Sequence, residues 1–248
     1  MDYIKLDIKD PHYWPQDLNV TNWLCEEVVH PGMRVLEIGA DRVVFPRTTD
    51  VADCREVKLP DNVRLSLCNV TRERLPYPDK AFDFCFCRHT IEDLCNPELV
   101  LSEMSRVAKA GYIETPSPVA ELCRGVDGPK TDGTSTDFRG YHHHHFIVWE
   151  HDGVLYLLTK FPLVEHLILA ETALVGILRT SSAHWNTYYL WKDEIKFRHL
   201  QSTVDYKVTT EYVKLLNAAL SQSLNSVNKF WEGCGILEYL ERRKRRAS

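Results

Sequence analysis

Two groups of side chains in this sequence are of the types that move protons or hold cations. The first is His89 with Glu92 and Glu114, an imidazole and two carboxylic acids set at the ends of apolar segments. The second is Tyr141–His145 (YHHHH), four consecutive imidazoles between Gly140 and an apolar stretch. Imidazole titrates near neutrality, so either group suits general acid–base work, with His89, His142 and His144 as the catalytic candidates. On an extended segment His142 and His144 share one face, and His143 and His145 share the other. Same-face imidazoles also suit a metal, while a solvated stretch of strand is the plainer alternative. No metal site is expected. Cys85, Cys87 and His89 read C-x-C-x-H, but both cysteines sit within an apolar strand, where cysteine packs as a small hydrophobe. Trp185, Tyr188, Tyr189 and Trp191 suit either stacking on a planar ligand or cross-strand packing.

These groups need elements to hold them, and residues 75–118 supply the clearest ones. They alternate turn, apolar strand, amphipathic helix and apolar strand. Residues 81–87 (AFDFCFC) place Phe82, Phe84 and Phe86 on one face and Asp83, Cys85 and Cys87 on the other. Residues 96–108 carry Leu99, Val100, Met104 and Val107 at helical spacing, and 111–115 form the next strand. Upstream, an amphipathic helix over 17–29 ends at His30-Pro31-Gly32. Met33–Ile38 then reads as a buried strand, with further strands near 50–54 and over 63–67. Residues 40–49 are too few for a helix with its loops.

Downstream, 121–140 reads as a long loop, and Arg124, Asp127, Asp132 and Arg139 would make it a lid over a substrate. Asp152-Gly153 turns a hairpin between 146–149 and 154–158. A helix is expected over 163–178, a second hairpin joining 188–191 to 195–199, and helices over 208–224 and 225–245. Strands alternating with helices and loops predict an α/β protein, with a mainly parallel sheet flanked by helices and an elaborated C-terminal half. One domain over 1–248 is expected, its core at about 16–118 and its elaboration at about 119–248.

With 248 residues, 44% of them hydrophobic and 26% charged, the composition is that of a globular protein. A net charge of −5 argues against binding a polyanion through bulk electrostatics. The basic stretch Glu241–Arg246 (ERRKRR) reads first as a solvated helix end and second as a nucleic-acid patch. No apolar run approaches the ~18 residues that span a bilayer. The polar start, MDYIKLDIKD, does not read as a signal peptide, so a cytoplasmic protein with reduced thiols is expected.

The segments RVLEIG (34–39), DKAFDFCFC (79–87), RHTIEDLCNPELVLSEMSRVAKAGY (88–112) and IETPSP (113–118) resemble the class I S-adenosylmethionine-dependent methyltransferases. The nearest branch carries LP-(F/Y)-P-D-x-x-FD before the fourth strand, matched here by LPYPDKAFD over 75–83. The resemblance covers residues 20–118 and implies a Rossmann-like sheet with S-adenosylmethionine as cofactor. It also implies roles. Glu37 would receive the cofactor's ammonium or order the adjoining loop, while Gly39 and Ala40 would lie against the methionine moiety. Asp53, preferred over Asp50, would grip the ribose hydroxyls. Asn69 would accept from the adenine amino group, with Val70 beside it, and Arg88 and His89 would stand on the rim near the methyl group. The family's E/D-x-G-x-G-x-G loop runs here Glu37-Ile38-Gly39-Ala40-Asp41-Arg42-Val43, with two of its three glycines gone.

The function expected is methyl transfer to an unidentified acceptor, a small molecule first. A methyltransferase-fold binding or regulatory protein without turnover is the alternative, and a nucleic-acid methyltransferase the second. The acceptor and the oligomeric state are not legible.

Overall fold

The computed structural model describes residues 18–40, 44–127, 138–200 and 208–247. Six strands form one sheet: β1 (Val35–Ile38), β2 (Asp50–Asp53), β3 (Arg64–Leu67), β4 (Phe84–Arg88), β5 (Ala110–Pro116) and β8 (Asn186–Lys192). Their order is β3-β2-β1-β4-β5-β8. The first five run parallel, and β8 pairs antiparallel with β5 from Ala110↔Lys192 to Pro116↔Asn186. A second sheet contains β6 (Phe146–His151), β7 (Val154–Thr159) and β9 (Phe197–Leu200) in the order β6-β7-β9. Chain order reverses across β1, which opens a crevice at the carboxyl ends of β1 and β4, the usual ligand position in such sheets.

Strand β4 is buried on both faces, so its alternation sorts two apolar layers rather than an apolar and a wet one. Cys85 and Cys87 face α2 (Pro97–Val107), within a cluster holding Val100, Met104 and Val107. Their thiols are fully buried, and burial pushes both well up. Phe84 and Phe86 face the opposite layer, where Phe86 stacks on Phe45 at 4.4 Å and on Tyr112 at 5.6 Å. Phe82 departs from the expected face. It precedes β4 in an isolated bridge to Ala108 and packs on the α2 side, edge-on to Tyr77.

The second sheet packs on the α2 face of the first through Phe146, Val148, Leu155 and Leu157. Its other face is covered by α3 (Pro118–Leu122), α4 (Glu171–Thr180) and part of α5 (Val208–Gly233), including Tyr212 and Leu216. The first sheet's opposite face is covered by α1 (Leu18–Trp23), the π turn Leu24–Val28, the end of α5 and α6 (Ile236–Ala247).

Two expectations about elements are corrected and one holds. Segments 188–191 and 195–199 do not form a hairpin, because β8 pairs with β5 whereas β9 joins the other sheet, parallel to β7. The apolar stretch over 163–178 is not one helix. It splits into a 3-10 turn, Pro162–His166, and α4 from Glu171. Among the described residues, 44–49 form turn rather than helix, as their number requires. Asp41, Arg42, Val43 and Asp132 lie outside the described residues.

Asp50 ties the amino ends of three strands. Its carboxylate accepts from Arg34 at 3.0 and 3.3 Å, Arg64 at 3.0 and 3.1 Å, and Thr49 at 2.7 Å. Burial works to raise this carboxyl, but the bonds from Arg34, Thr49 and Arg64 outweigh it and hold it below the ordinary carboxylate range. A depressed folded-state pKa contributes stability above the unfolded value, and that contribution is lost as pH falls through the folded one. Asp50→Asn is therefore expected to cost about 1–3 kcal/mol near neutrality. The cost should shrink in urea titrations as pH falls through the folded-state value, which lies below the ordinary carboxylate range.

No described helix is long and apolar enough to cross a membrane. The basic end of α6 is engaged with its neighbours. Arg242 pairs with Glu27 at 2.8 Å, Arg243 with Glu26 at 4.0 Å, and Arg245 with Glu241 at 3.6 Å.

Candidate functional site

At the end of β1, Glu37 is buried, and its Oε2 accepts from Phe45 N at 2.9 Å and Thr48 Oγ1 at 2.6 Å. It therefore orders the β1–β2 loop. Burial raises its carboxyl against the opposing effects of Thr48, Phe45 and Arg88. Gly39 has φ +69°, and a Cβ there would fall 2.2 Å from Thr90 Oγ1 and 2.7 Å from Thr90 Cγ2. The close approach that requires glycine is thus made by the loop after β4. Ala40 beside it is buried.

At the end of β2, Asp53 is buried, and its Oδ1 accepts from Arg55 N at 2.9 Å. No hydrogen bond to Oδ2 occurs among the described residues. Asp50 lies at the other end of that strand and is consumed by the arginines, so of the two acids only Asp53 stands at the carboxyl edge. After β3, Asn69 departs from its expected role. Its Oδ1 accepts from Thr71 N at 3.2 Å and Thr71 Oγ1 at 2.7 Å, which takes both lone pairs. What Asn69 offers a ligand is donation from Nδ2. Val70 is buried next to it.

The rim after β4 and β5 is densely ionisable. Arg88 ends β4, and its charge favours the ionised forms of both Glu37 and Glu114. His89 has φ +47°, a left-handed conformation uncommon outside glycine, in a place where the backbone must turn off the strand. Its Nδ1 lies 3.4 Å from Glu92 Oε1 and its Nε2 3.4 Å from Glu114 Oε1. Tyr112 donates to Glu114 at 2.5 Å. Burial acts to lower the His89 pKa, but the two carboxylates outweigh it and raise the value. Burial likewise acts to raise Glu114, and His89 overrides it downward. The two carboxylates favour the cationic ring, which donates at both nitrogens and can orient and balance charge there.

The histidine run stands beside this rim, with His145 N donating to Glu92 O at 2.7 Å. It is not strand, since β6 begins only at Phe146, and the expected sharing of one face by His142 and His144 does not hold. His142 Nδ1 lies 3.0 Å from Asp127 Oδ2, whereas His144 Nδ1 lies 2.5 Å from Glu121 Oε1. Adjacent residues converge instead, as His143 and His144 approach Asp93 at 3.7 and 3.6 Å. Glu121 also accepts from Lys160 Nζ at 2.6 Å, and Lys160 reaches the Arg139 and Tyr141 carbonyls at 2.9 and 2.8 Å. Burial acts to raise Glu121, yet Lys160 and His144 bring it down to about 2. Asp93 goes the other way, pushed up to about 7 by burial and by Glu92.

The arginines assigned to a lid are anchors. Arg139 is buried and donates to the Val164, Leu122 and Leu167 carbonyls, and it pairs with Glu171 at 2.5 Å. Arg124 pairs with Glu165 at 3.0 Å. The aromatic set from Trp185 to Trp191 is packing. Tyr188 stacks on Phe230 at 5.1 Å, and Trp185 Nε1 donates to Leu178 O.

Residues 43–113 match the family model of a methyltransferase domain, and they run from the β1–β2 loop into β5 of the reversed sheet described above. Over those residues the chain is similar to the methyltransferase domain family. It is similar to the YcgJ protein of Bacillus subtilis, at 21% identity over 36% of this chain and 50% of the other, with a TM-score of 0.30. It is also similar to an S-adenosylmethionine-dependent methyltransferase from Mesorhizobium loti, at 13% identity, 42% and 56% coverage and a TM-score of 0.35. A Haloferax volcanii complex of the Trm112 methyltransferase activator with a methyltransferase aligns over 71% of this chain and 89% of the other, at 14% identity and a TM-score of 0.41. The chain spans about half the length of the first two. No curated protein matches it.

Within this sheet, Glu37, Gly39, Ala40, Asp53, Asn69, Val70 and Arg88 all stand at carboxyl ends or in the loops that follow them. Glu121, Lys160 and Asp93 were missed by sequence reasoning. Glu121 and Lys160 lie in unremarkable apolar contexts 39 positions apart, and only their burial marks them.

Proposed function

We propose that the protein binds S-adenosylmethionine at the carboxyl edge of β1, β2 and β4 and transfers its methyl group to a small-molecule acceptor. The observation that carries this reading is Asp53, a buried carboxylate at the end of β2 with Oδ2 accepting nothing among the described residues. A charged acceptor so placed suits a pair of ribose hydroxyls. The residues around it fit the rest of the cofactor. Glu37 uses one oxygen on the β1–β2 loop, leaving Oε1 for an ammonium. Asn69 Nδ2 suits an adenine ring nitrogen.

The cofactor supplies an electrophilic methyl carbon on a sulfonium. The chain's part is placement, since orienting the reactants can supply ~7–11 kcal/mol of such a barrier. Arg88, His89, Glu92 and Glu114 form a fixed ionisable wall at that rim. Turnover then depends on whether the acceptor is seated in line rather than on a strong base. A nucleic-acid acceptor has less support, because Arg242, Arg243 and Arg245 of α6 are each paired with a glutamate.

Calorimetry tests the reading directly. Wild-type protein is expected to bind S-adenosylmethionine, and Asp53→Ala should weaken it by roughly 10–100-fold, the loss of one charge-assisted pair of bonds. Equal affinity in wild type and Asp53→Ala would remove this site from consideration. Binding without demethylated product across acceptor pools would favour a regulatory protein without turnover.

A further inference from the structure

We propose that Asp93, His143 and His144 form a binding site for one divalent cation of the zinc or cobalt(II) type, beside the rim of the methyltransferase sheet. Asp93 Oδ1 stands 3.7 Å from His143 Nε2 and 3.6 Å from His144 Nε2, and one ligand atom from each residue lies within 4.8 Å of the others. These separations are too long for hydrogen bonds. They are close to the spacing of ligands that share an ion, since bonds of ~2.0–2.1 Å in a tetrahedral site put ligand atoms about 3.3–3.4 Å apart. Asp93 Oδ1 is itself buried and accepts no hydrogen bond among the described residues. A buried carboxylate oxygen facing two imidazoles beyond hydrogen-bond reach lacks what a cation would supply.

The surroundings are those of a built site. His144 Nδ1 is held by Glu121 at 2.5 Å, and Glu121 is in turn held by Lys160 at 2.6 Å. A carboxylate on Nδ1 fixes the tautomer whose Nε2 carries the lone pair, which is the usual support for a ligating histidine. Tyr141 stacks on His144 at 4.7 Å, locking the ring plane. The backbone bond from His145 to Glu92 pins the histidine run against the 3-10 turn, Ile91–Asp93, that carries Asp93. Gly140, at φ +58°, lets the chain pass Glu121 where a Cβ would fall 2.5 Å from its Oε2.

A second trio, Asp127, His142 and His143, competes for His143. There Asp127 and His142 already bond directly at 3.0 Å, and both imidazoles are exposed, so the Asp93 trio is the better pre-formed. Two imidazoles and one carboxylate suit zinc, cobalt or iron(II) over magnesium or calcium and leave coordination positions open. The site is independent of the cofactor reading.

Cobalt(II) titration of the purified full chain, followed by visible absorption and zinc competition, tests it. One equivalent is expected to bind with a nitrogen–oxygen ligand-field spectrum. Asp93→Asn and His143→Ala should each weaken binding at least tenfold, and His142→Ala should leave it unchanged within about twofold. His143 is half exposed, so its truncation removes little packing, and thermal melts of each variant confirm that it folds. Absence of saturable binding in the wild type would overturn the proposal. So would unchanged affinity in folded Asp93→Asn and His143→Ala. A sulfur-to-cobalt band abolished by Cys95→Ser would assign the ion to the exposed Cys95–His145 contact instead, and would equally overturn it.

Discussion

Glu121→Ala is expected to lower the unfolding free energy by about 3–5 kcal/mol, the cost of removing one partner from a buried ionic group. Glu121 is fully buried in α3, yet it takes Lys160 on one carboxylate oxygen and His144 on the other. Its loss leaves the Lys160 ammonium inside the protein with only the Arg139 and Tyr141 carbonyls. The damage should spread, because those carbonyls hold the chain into the histidine run and Arg139 ties the same segment to α4. Against a typical stability of 5–15 kcal/mol this is a large fraction. Urea unfolding should show a lower midpoint with an unchanged slope. Lys160→Met added to Glu121→Gln should cost clearly less than the two single changes summed, since the double variant leaves no lone buried charge. Additive costs would mean that the pair is not coupled.

Gly39→Val is expected to cost about 2–5 kcal/mol and to abolish S-adenosylmethionine binding. Two effects combine. A β-branched residue at φ +69° is strained, and overpacking a tight contact adds typically 1–3 kcal/mol. The contact is tight, because the new Cβ would lie 2.2 Å from Thr90 Oγ1. Either Thr90 moves, shifting the loop that carries His89, or Gly39 breaks its N–H bond to Ala52 O at 3.1 Å. Thr90→Ala removes the two nearest atoms and should recover part of the stability in the double variant, which thermal melts would read. A Gly39→Val protein that is fully stable and binds cofactor normally would contradict the assigned packing.

The reach of sequence reasoning follows from which interactions are local. The alternation of 81–87 and the helical stripe of 97–107 each express a contact with the sheet's own neighbours, so β4, α2 and β5 were legible. That Asp53 rather than Asp50 stands at the carboxyl end of β2 was legible because position along a strand fixes which end of the sheet a residue reaches. Phe82 was misassigned because a bridge to Ala108 ends the strand's register before it. The β8 and β9 segments looked like a hairpin because a short polar turn separates them. Their partners are β5, some 75 residues upstream, and β7, and no local pattern encodes that choice.

The amino-acid sequence alone determined the mainly parallel sheet, which residues stand at its carboxyl end, and the likeness of 43–113 to a methyltransferase domain. Apolar periodicity and glycine placement act within a few residues, where sequence neighbours are also spatial neighbours. Only the tertiary structure decided what the ionisable residues do. It showed that Glu37 orders a loop, that His89 is held between two acids, and that the histidine run divides between Asp127, Glu121 and Asp93. A charge buried among partners distant in sequence takes its state from burial and from those partners, and neither is written in the residues beside it.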